Sequence, residues 1–133
     1  MKEIPMHENP GAQRALEAFL SSLAVEEKGS EGFRVSATLR ADCTVFNGHF
    51  PGNPILPGAF HVWIACLLLA RLYGLEGKLA SVQKAKFRKL LLPRDFITIH
   101  GKLTPGSGET AAACRIEKDG REASKFRIVV KRA

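Results

Sequence analysis

The residues with most chemical promise lie in Gly48-His49-Phe50-Pro51-Gly52-Asn53-Pro54-Ile55-Leu56-Pro57-Gly58, followed at once by the apolar run Ala59 to Ala70. His49 sits in a turn stiffened by Pro51, Pro54 and Pro57. An imidazole titrates near neutrality and can take or give a proton. The turn empties into a helix, whose first amides are unpaired and favour negative charge. Together they would place a base and an anion-binding helix start at the mouth of an oily cavity.

Elements must hold that turn in place, and the sequence marks them. Leu16, Phe19, Leu20 and Leu23 recur at helical spacing, yet Phe19 to Glu26 also suits a first strand, so Ala12 to Glu27 stays open between the two. Met1 to Gly11, with Pro5, Asn9, Pro10 and Gly11, is expected to be a loose start. Phe33, Val35, Ala37, Leu39 and Ala41 alternate with polar residues, which predicts a half-buried strand over Phe33 to Thr44. The helix is expected over about Pro57 to Tyr73, stopped by Gly74 and Gly77. Strands follow at Leu79 to Lys89, Phe96 to Leu103, Thr110 to Glu117 and Ala123 to Lys131. Turns at Pro93-Arg94-Asp95, Pro105 to Gly108 and Asp119-Gly120 separate the last four strands. Four consecutive turn-linked strands suggest an antiparallel sheet. Curled around the helix, it would bury that helix over most of its surface.

The bulk numbers bound this reading. A chain of 133 residues fits one domain, 1–133, with 1–11 as its loose N-terminal segment. A net charge of +7 asks for an acidic partner: nucleic acid, an anionic membrane or an acidic protein. The longest apolar run is shorter than the roughly 20 residues that cross a bilayer, so no membrane span is expected. Cys43, Cys66 and Cys114 are widely spaced, with no metal-ligand clustering, so neither metal nor cofactor is expected. An odd cysteine count without a signal peptide points to reduced thiols and a cytoplasmic protein.

The eleven-residue run resembles the signature of the hotdog-fold β-hydroxyacyl-[acyl-carrier-protein] dehydratases of bacterial fatty-acid synthesis. Ala85-Lys86-Phe87-Arg88-Lys89-Leu90-Leu91-Leu92-Pro93-Arg94-Asp95 resembles the second recurrent segment of that family, a basic strand running into a Pro-x-Asp turn. The two segments occur in the family's order and separation, and the likeness covers about residues 30 to 130. It implies an α+β hotdog fold, an antiparallel sheet wrapped around one long apolar helix. It also implies dehydration of a 3-hydroxyacyl thioester to the trans-2-enoyl thioester, in fatty-acid, lipid or polyketide-type synthesis. On this resemblance His49 would be the base that removes the C2 proton, with a cis His49–Phe50 peptide fixing its ring. The Gly58 amide would hold the thioester oxygen as charge grows, and Phe50, Pro57, Ala59, Trp63 and Leu67 would line the acyl tunnel.

The family's second catalytic residue, a Glu or Asp five positions beyond the Pro-Gly, protonates the departing hydroxyl. Here that position is Trp63, and the Gln common one turn later is Leu67; both lie on one helix face. Three readings follow. The proton could come from water, His61 or a rearranged carboxylate, although His61 points nearly opposite to Trp63. The site could be completed in trans, because family members place the His of one subunit opposite the helix acid of the other. Or the chain could bind acyl thioesters without turnover, or hydrolyse them as hotdog thioesterases do.

Plainer explanations stand beside each residue. Trp63 would serve as core packing as well as a tunnel wall, and Gly58 as a tight turn as well as an oxyanion donor. His61 suits a core or tunnel-edge histidine with one hydrogen bond, Cys66 a small buried hydrophobe, and His7 and His100 no site role. Lys84, Lys86, Arg88, Lys89 and Arg94 form a basic strand that would dock an acidic carrier protein, or simply a solvated face. The expected partners are acyl carrier protein or an acyl-CoA thioester, with no nucleic acid, since no aromatic platform is interleaved with the charges. The expected assembly is a homodimer or higher oligomer pairing edge strands, or a heteromer with an acid-bearing relative.

Overall fold

The structure, a computed structural model, describes residues 10–42, 58–75 and 78–131. Helix α1 (Pro10–Phe19) runs straight into strand β1 (Leu20–Lys28), so the open stretch is helix first and strand second. Pro10 opens α1, where a missing N–H costs nothing. Pro10 and Gly11, expected in a loose start, therefore belong to a helix. Leu16 and Phe19 are buried from its inner face, which explains their spacing.

Strand β2 (Gly32–Leu39) buries Phe33, Val35, Ala37 and Leu39, the alternation read from the sequence, but stops before Thr44. The Arg40 amide bonds the Phe19 carbonyl, and its guanidinium reaches Asp42 and the Glu17 carbonyl, so the backbone leaves the sheet there. That guanidinium holds the Asp42 carboxyl below its ordinary range. Helix α2 (Gly58–Tyr73) ends where Gly74 takes φ 67° and donates its amide to the Ala70 carbonyl, a left-handed stop that suits glycine.

Strands β3 (Lys78–Phe87), β4 (Phe96–Pro105), β5 (Glu109–Lys118) and β6 (Arg121–Lys131) complete one antiparallel six-stranded sheet, in the order β1-β2-β4-β5-β6-β3. The four last strands are thus not a simple meander. β3 lies at one edge, pairs only with β6, and connects to β4 across the end of the sheet. The connection is pinned rather than slack. Arg88 and Lys89 both donate backbone amides to the Ala123 carbonyl, and Leu91 is fully buried. Asp95 accepts from the Leu92 amide and Lys118 Nζ, each at 2.8 Å, and the Leu39 amide bonds the Asp95 carbonyl. This is why a Pro-x-Asp turn follows the basic strand: its carboxylate ties the crossover down.

Both edge strands are irregular. β1 shifts register after Ser21 and after Val25, and β3 after Leu79 and after Gln83, with Ser22 and Lys84 in left-handed conformations. Such bulges twist an edge and discourage indiscriminate pairing. The core lies between the inner face of the sheet and one face of α2, with Ile64, Ala65, Leu68 and Leu69 against Ile99, Ile116, Phe126 and Ile128. The helix is buried over most of its surface, as the sequence suggested, but on the side of Trp63 it is incompletely covered: Ala59 and Trp63 are exposed, and Phe60, Cys66, Leu67 and Ala70 only half-buried. Among the described residues no helix is long and apolar enough to cross a membrane.

Candidate functional site

His49, Phe50 and Pro57, with the expected cis peptide, lie outside the described residues. Gly58 does not: it is the first residue of α2. A Cβ at Gly58 would fall 2.9 Å from Cζ of Phe87, closer than real Cβ atoms come. A side chain at this position would therefore have to displace the Phe87 ring, which packs on the glycine. The edge of β3 thus covers the start of the helix with an aromatic ring that is itself 48% exposed.

One turn into α2 the same ring meets His61, centroids 5.2 Å apart and nearly perpendicular. His61 is 2% exposed, and its Nδ1 shares a 2.8 Å hydrogen bond with Oγ of the fully buried Ser124 on β6. A buried imidazole needs such a partner. The expectation of a core histidine is met, and it faces away from Trp63. Sequence reasoning missed Ser124 and Phe87. Ser124 had a signal: it shares the inward alternation of Phe126, Ile128 and Val130, where a lone polar residue asks for a buried partner.

Trp63 stands on the other face of α2 and is 45% exposed. Its ring packs on Phe19 at 5.4 Å and Phe60 at 5.6 Å, an aromatic cluster joining α1 to α2. Trp63 and Leu67 share one wall of an apolar groove of about 470 Å3, lined also by Ala59, Cys66, Ala70, Leu75, Leu79 and Val130. Ala59, Trp63 and Leu67 are thus brought together, and among the described residues no ionisable oxygen or nitrogen is contributed by the lining side chains. The groove can hold hydrocarbon, and among the described residues the Cys66 thiol is its one titratable lining group. Burial pushes the Cys66 thiol up to about 11, which keeps it protonated near neutrality.

The basic residues divide. Lys84, Lys86 and Arg88 line a recess of about 510 Å3 at the β3 edge with Glu122 and Lys125, and Arg88 Nε donates to Glu122 at 2.9 Å. Lys89 follows directly and is exposed. Arg94 lies across the sheet, its amide on the Leu39 carbonyl and its φ at 71°, so the structure does not group it with the others. His100, read as incidental, bonds Glu117 at 2.9 Å on the outer face of the sheet. His7 and Cys43 lie outside the described residues. Among the described residues no three His, Cys, Asp or Glu side chains converge as a metal site would require.

Comparison with known proteins fits this geometry. The chain is similar to 3-hydroxyacyl-[acyl-carrier-protein] dehydratase FabZ of Deinococcus radiodurans, 33% identical over 93 residues, covering 63% of each chain. It is similar to the protein of the same name from Lactiplantibacillus plantarum, 32% identical over 77 residues, covering 53% of this chain and 52% of that one. The chain thus spans between half and two thirds of the length of these relatives. Among solved structures, the dehydratase heterocomplex ApeI:P from Xenorhabdus doucetiae superposes with a TM-score of 0.70 at 20% identity, over 81% of this chain and 95% of that one. The PaaI protein of the Escherichia coli phenylacetic acid degradation operon also gives 0.70, at 17% identity, over 96% and 92%. The fold is the hotdog fold. A family model described as ApeI-like, ApeI dehydratase, matches residues 25–127, a span that takes in the Pro/Gly turn, α2 and the Asp95 crossover, and the chain therefore belongs to the ApeI-like dehydratase family.

Proposed function

We propose that this chain dehydrates 3-hydroxyacyl thioesters of acyl carrier protein to trans-2-enoyl thioesters, supplying the base and oxyanion half of a site whose acid comes from another chain. The observation that carries this reading is α2 itself. The helix begins at Gly58, directly after the His49 turn, and carries Trp63 and Leu67 on its open apolar face. His49 removes the C2 proton while the first amides of α2, Gly58 foremost, stabilise the oxygen of the forming enolate. The C3–O bond then breaks, and the hydroxyl leaves as water with a proton from the acid. Trp63 holds no proton to give, and the groove beside it opens outward, where a second subunit would lie. Phe50, Pro57, Ala59, Trp63 and Leu67 hold the acyl chain.

The likeness to the dehydratase heterocomplex ApeI:P supports an acid-bearing relative as the second subunit over a second copy of this chain. In either assembly the edge strand β3 and the open face of α2 are the surfaces to be covered. Lys84, Lys86, Arg88 and Lys89 flank Phe87, which lies on Gly58. A carrier protein docked there would have its arm beside the helix start, and Arg94 would extend the contact from the far side of the crossover.

The test follows enoyl absorbance with a 3-hydroxyacyl carrier-protein substrate, using the chain alone, mixed with an acid-bearing relative, and as Trp63→Glu. Turnover in the mixture, its loss with His49→Ala, and its appearance in Trp63→Glu alone are expected. No product in any of the three would overturn the reading.

A further inference from the structure

The outer face of the sheet, turned away from α2, carries a pattern that dehydration does not use. The strands bring Glu27, Arg34, His100, Arg115, Lys125 and Lys86 directly opposite one another, one from each strand in turn. The row begins balanced: Arg34 pairs with Glu27 at 3.2 Å, and Glu117 serves both His100 at 2.9 Å and Arg115 at 3.2 Å. It ends with three cations, Arg115, Lys125 and Lys86, facing each other across adjacent strands. Like charges in directly opposed positions destabilise a sheet. In the next row Lys102 stands opposite Gly32 and Ala113, whose small size leaves the backbone open between the long side chains.

These rows line a shallow groove of about 940 Å3, to which five lysine or arginine side chains and only two glutamates contribute. Among the described residues Lys86, Lys102 and Lys125 have no carboxylate partner. A second copy of this chain is a poor occupant, because its own outer face would bring the same cations. A lipid surface is a poor one too: the exposed large apolar side chains lie elsewhere, and none lines the groove.

We infer that this groove is a docking surface for a carboxylate-rich segment of a protein partner. Its carboxylates neutralise Lys102 and Lys125 while its backbone lies over Gly101 and Ala113. The groove lies on the opposite side of the sheet from α2 and meets the β3-edge recess at Lys125. Charge complementarity of this kind steers association and makes it sensitive to salt.

The probe is a fluorescein-labelled peptide of twelve glutamates, titrated with the full chain at low salt and followed by anisotropy. Saturable binding is expected, weakened at least about tenfold by Lys102→Glu/Lys125→Glu and progressively weaker, though still measurable, as salt rises to physiological strength. Arg14→Glu/Lys78→Glu removes the same net charge from other surfaces and is expected to leave the affinity within about twofold. Lys102→Gln/Lys125→Gln, a milder change at exposed positions, is expected to give an intermediate loss and guards against misfolding of the reversed pair. The inference is overturned by absence of binding, by equal loss in both charge-reversed pairs, or by tighter binding of phosphatidylglycerol vesicles or duplex DNA than of the peptide.

Discussion

Helix α2 has two faces of nearly the same composition and different fates. Ile64, Ala65, Leu68 and Leu69 are sealed against the sheet, with His61 tied to Ser124 among them. Trp63, Cys66, Leu67 and Ala70, on the same sixteen-residue helix, line an open groove. Hydrophobicity alone does not distinguish the faces; their cover does, because the sheet seals one side while α1, through Phe19, covers the other only in part. A helix apolar all round is normally buried all round. The less covered face carries the two positions where the family resemblance implies polar groups.

Two neighbouring leucines give the sharpest way to break this contrast. Leu68→Ala removes a fully buried side chain from the core and is expected to lower stability by about 2–5 kcal/mol. Leu67→Ala, one residue away on the groove face, is expected to cost less than about 1 kcal/mol in dilute protein. If a second chain covers the groove, that smaller cost grows with protein concentration, because the assembly then contributes to stability. Chemical unfolding at two concentrations reads both effects. Equal losses for the two leucines at high dilution would remove the distinction between the faces.

Much of this contrast was legible in the residues. Val35, Ala37 and Leu39 announced a strand by strict alternation, and the helix was predicted to within one residue of its start because Pro57-Gly58 and Gly74 bracket an unbroken apolar run. The open face was not legible. An apolar residue reads the same whether it meets its own sheet or a partner, so Trp63 gave no sign of its 45% exposure. The place of β3 was hidden for a related reason. Short turns suggest neighbouring strands, but the Arg88–Asp95 segment is long enough to cross the sheet, and the hydrogen bonds of Asp95 that hold it there are tertiary. Arg94, grouped with Lys84 by adjacency in sequence, lies at the β4 end of that crossover, its amide on the Leu39 carbonyl, and not on β3. The imidazole that the sequence put first, His49, lies outside the described residues, so its role rests on motif and family.

A second, smaller effect sharpens the inner face. His61→Leu keeps bulk but leaves the Ser124 hydroxyl buried without its partner, at an expected cost of about 1–3 kcal/mol. Removing both polar groups in His61→Leu/Ser124→Ala is expected to recover part of that loss. A double-mutant cycle on thermal or denaturant unfolding measures the coupling. Strict additivity would mean that the 2.8 Å contact contributes nothing, and that the inner face is held by packing alone.

The smallest effect is chemical. Cys66 belongs to the groove face, half-buried, while Cys114 is buried on the inner face of β5. Burial raises both thiols from 9.0, Cys66 to about 11 and Cys114 to about 12, the latter helped by its neighbour Cys66. Only the thiolate attacks an alkylating reagent. At pH 8 roughly one Cys66 in a thousand is ionised, so iodoacetamide should modify it hundreds of times more slowly than the unfolded chain, and Cys114 more slowly still. Peptide mass spectrometry distinguishes the sites. The same shifts fix the sign of the alkaline response. The folded state keeps its thiol protons to higher pH than the unfolded state. The stability these thiols lend is therefore complete below about pH 9 and is lost as pH rises towards 11 and 12. Rapid labelling of Cys66 at pH 8 would show water reaching well into the groove. Protection of Cys66 that deepens with protein concentration would show the groove covered by another chain.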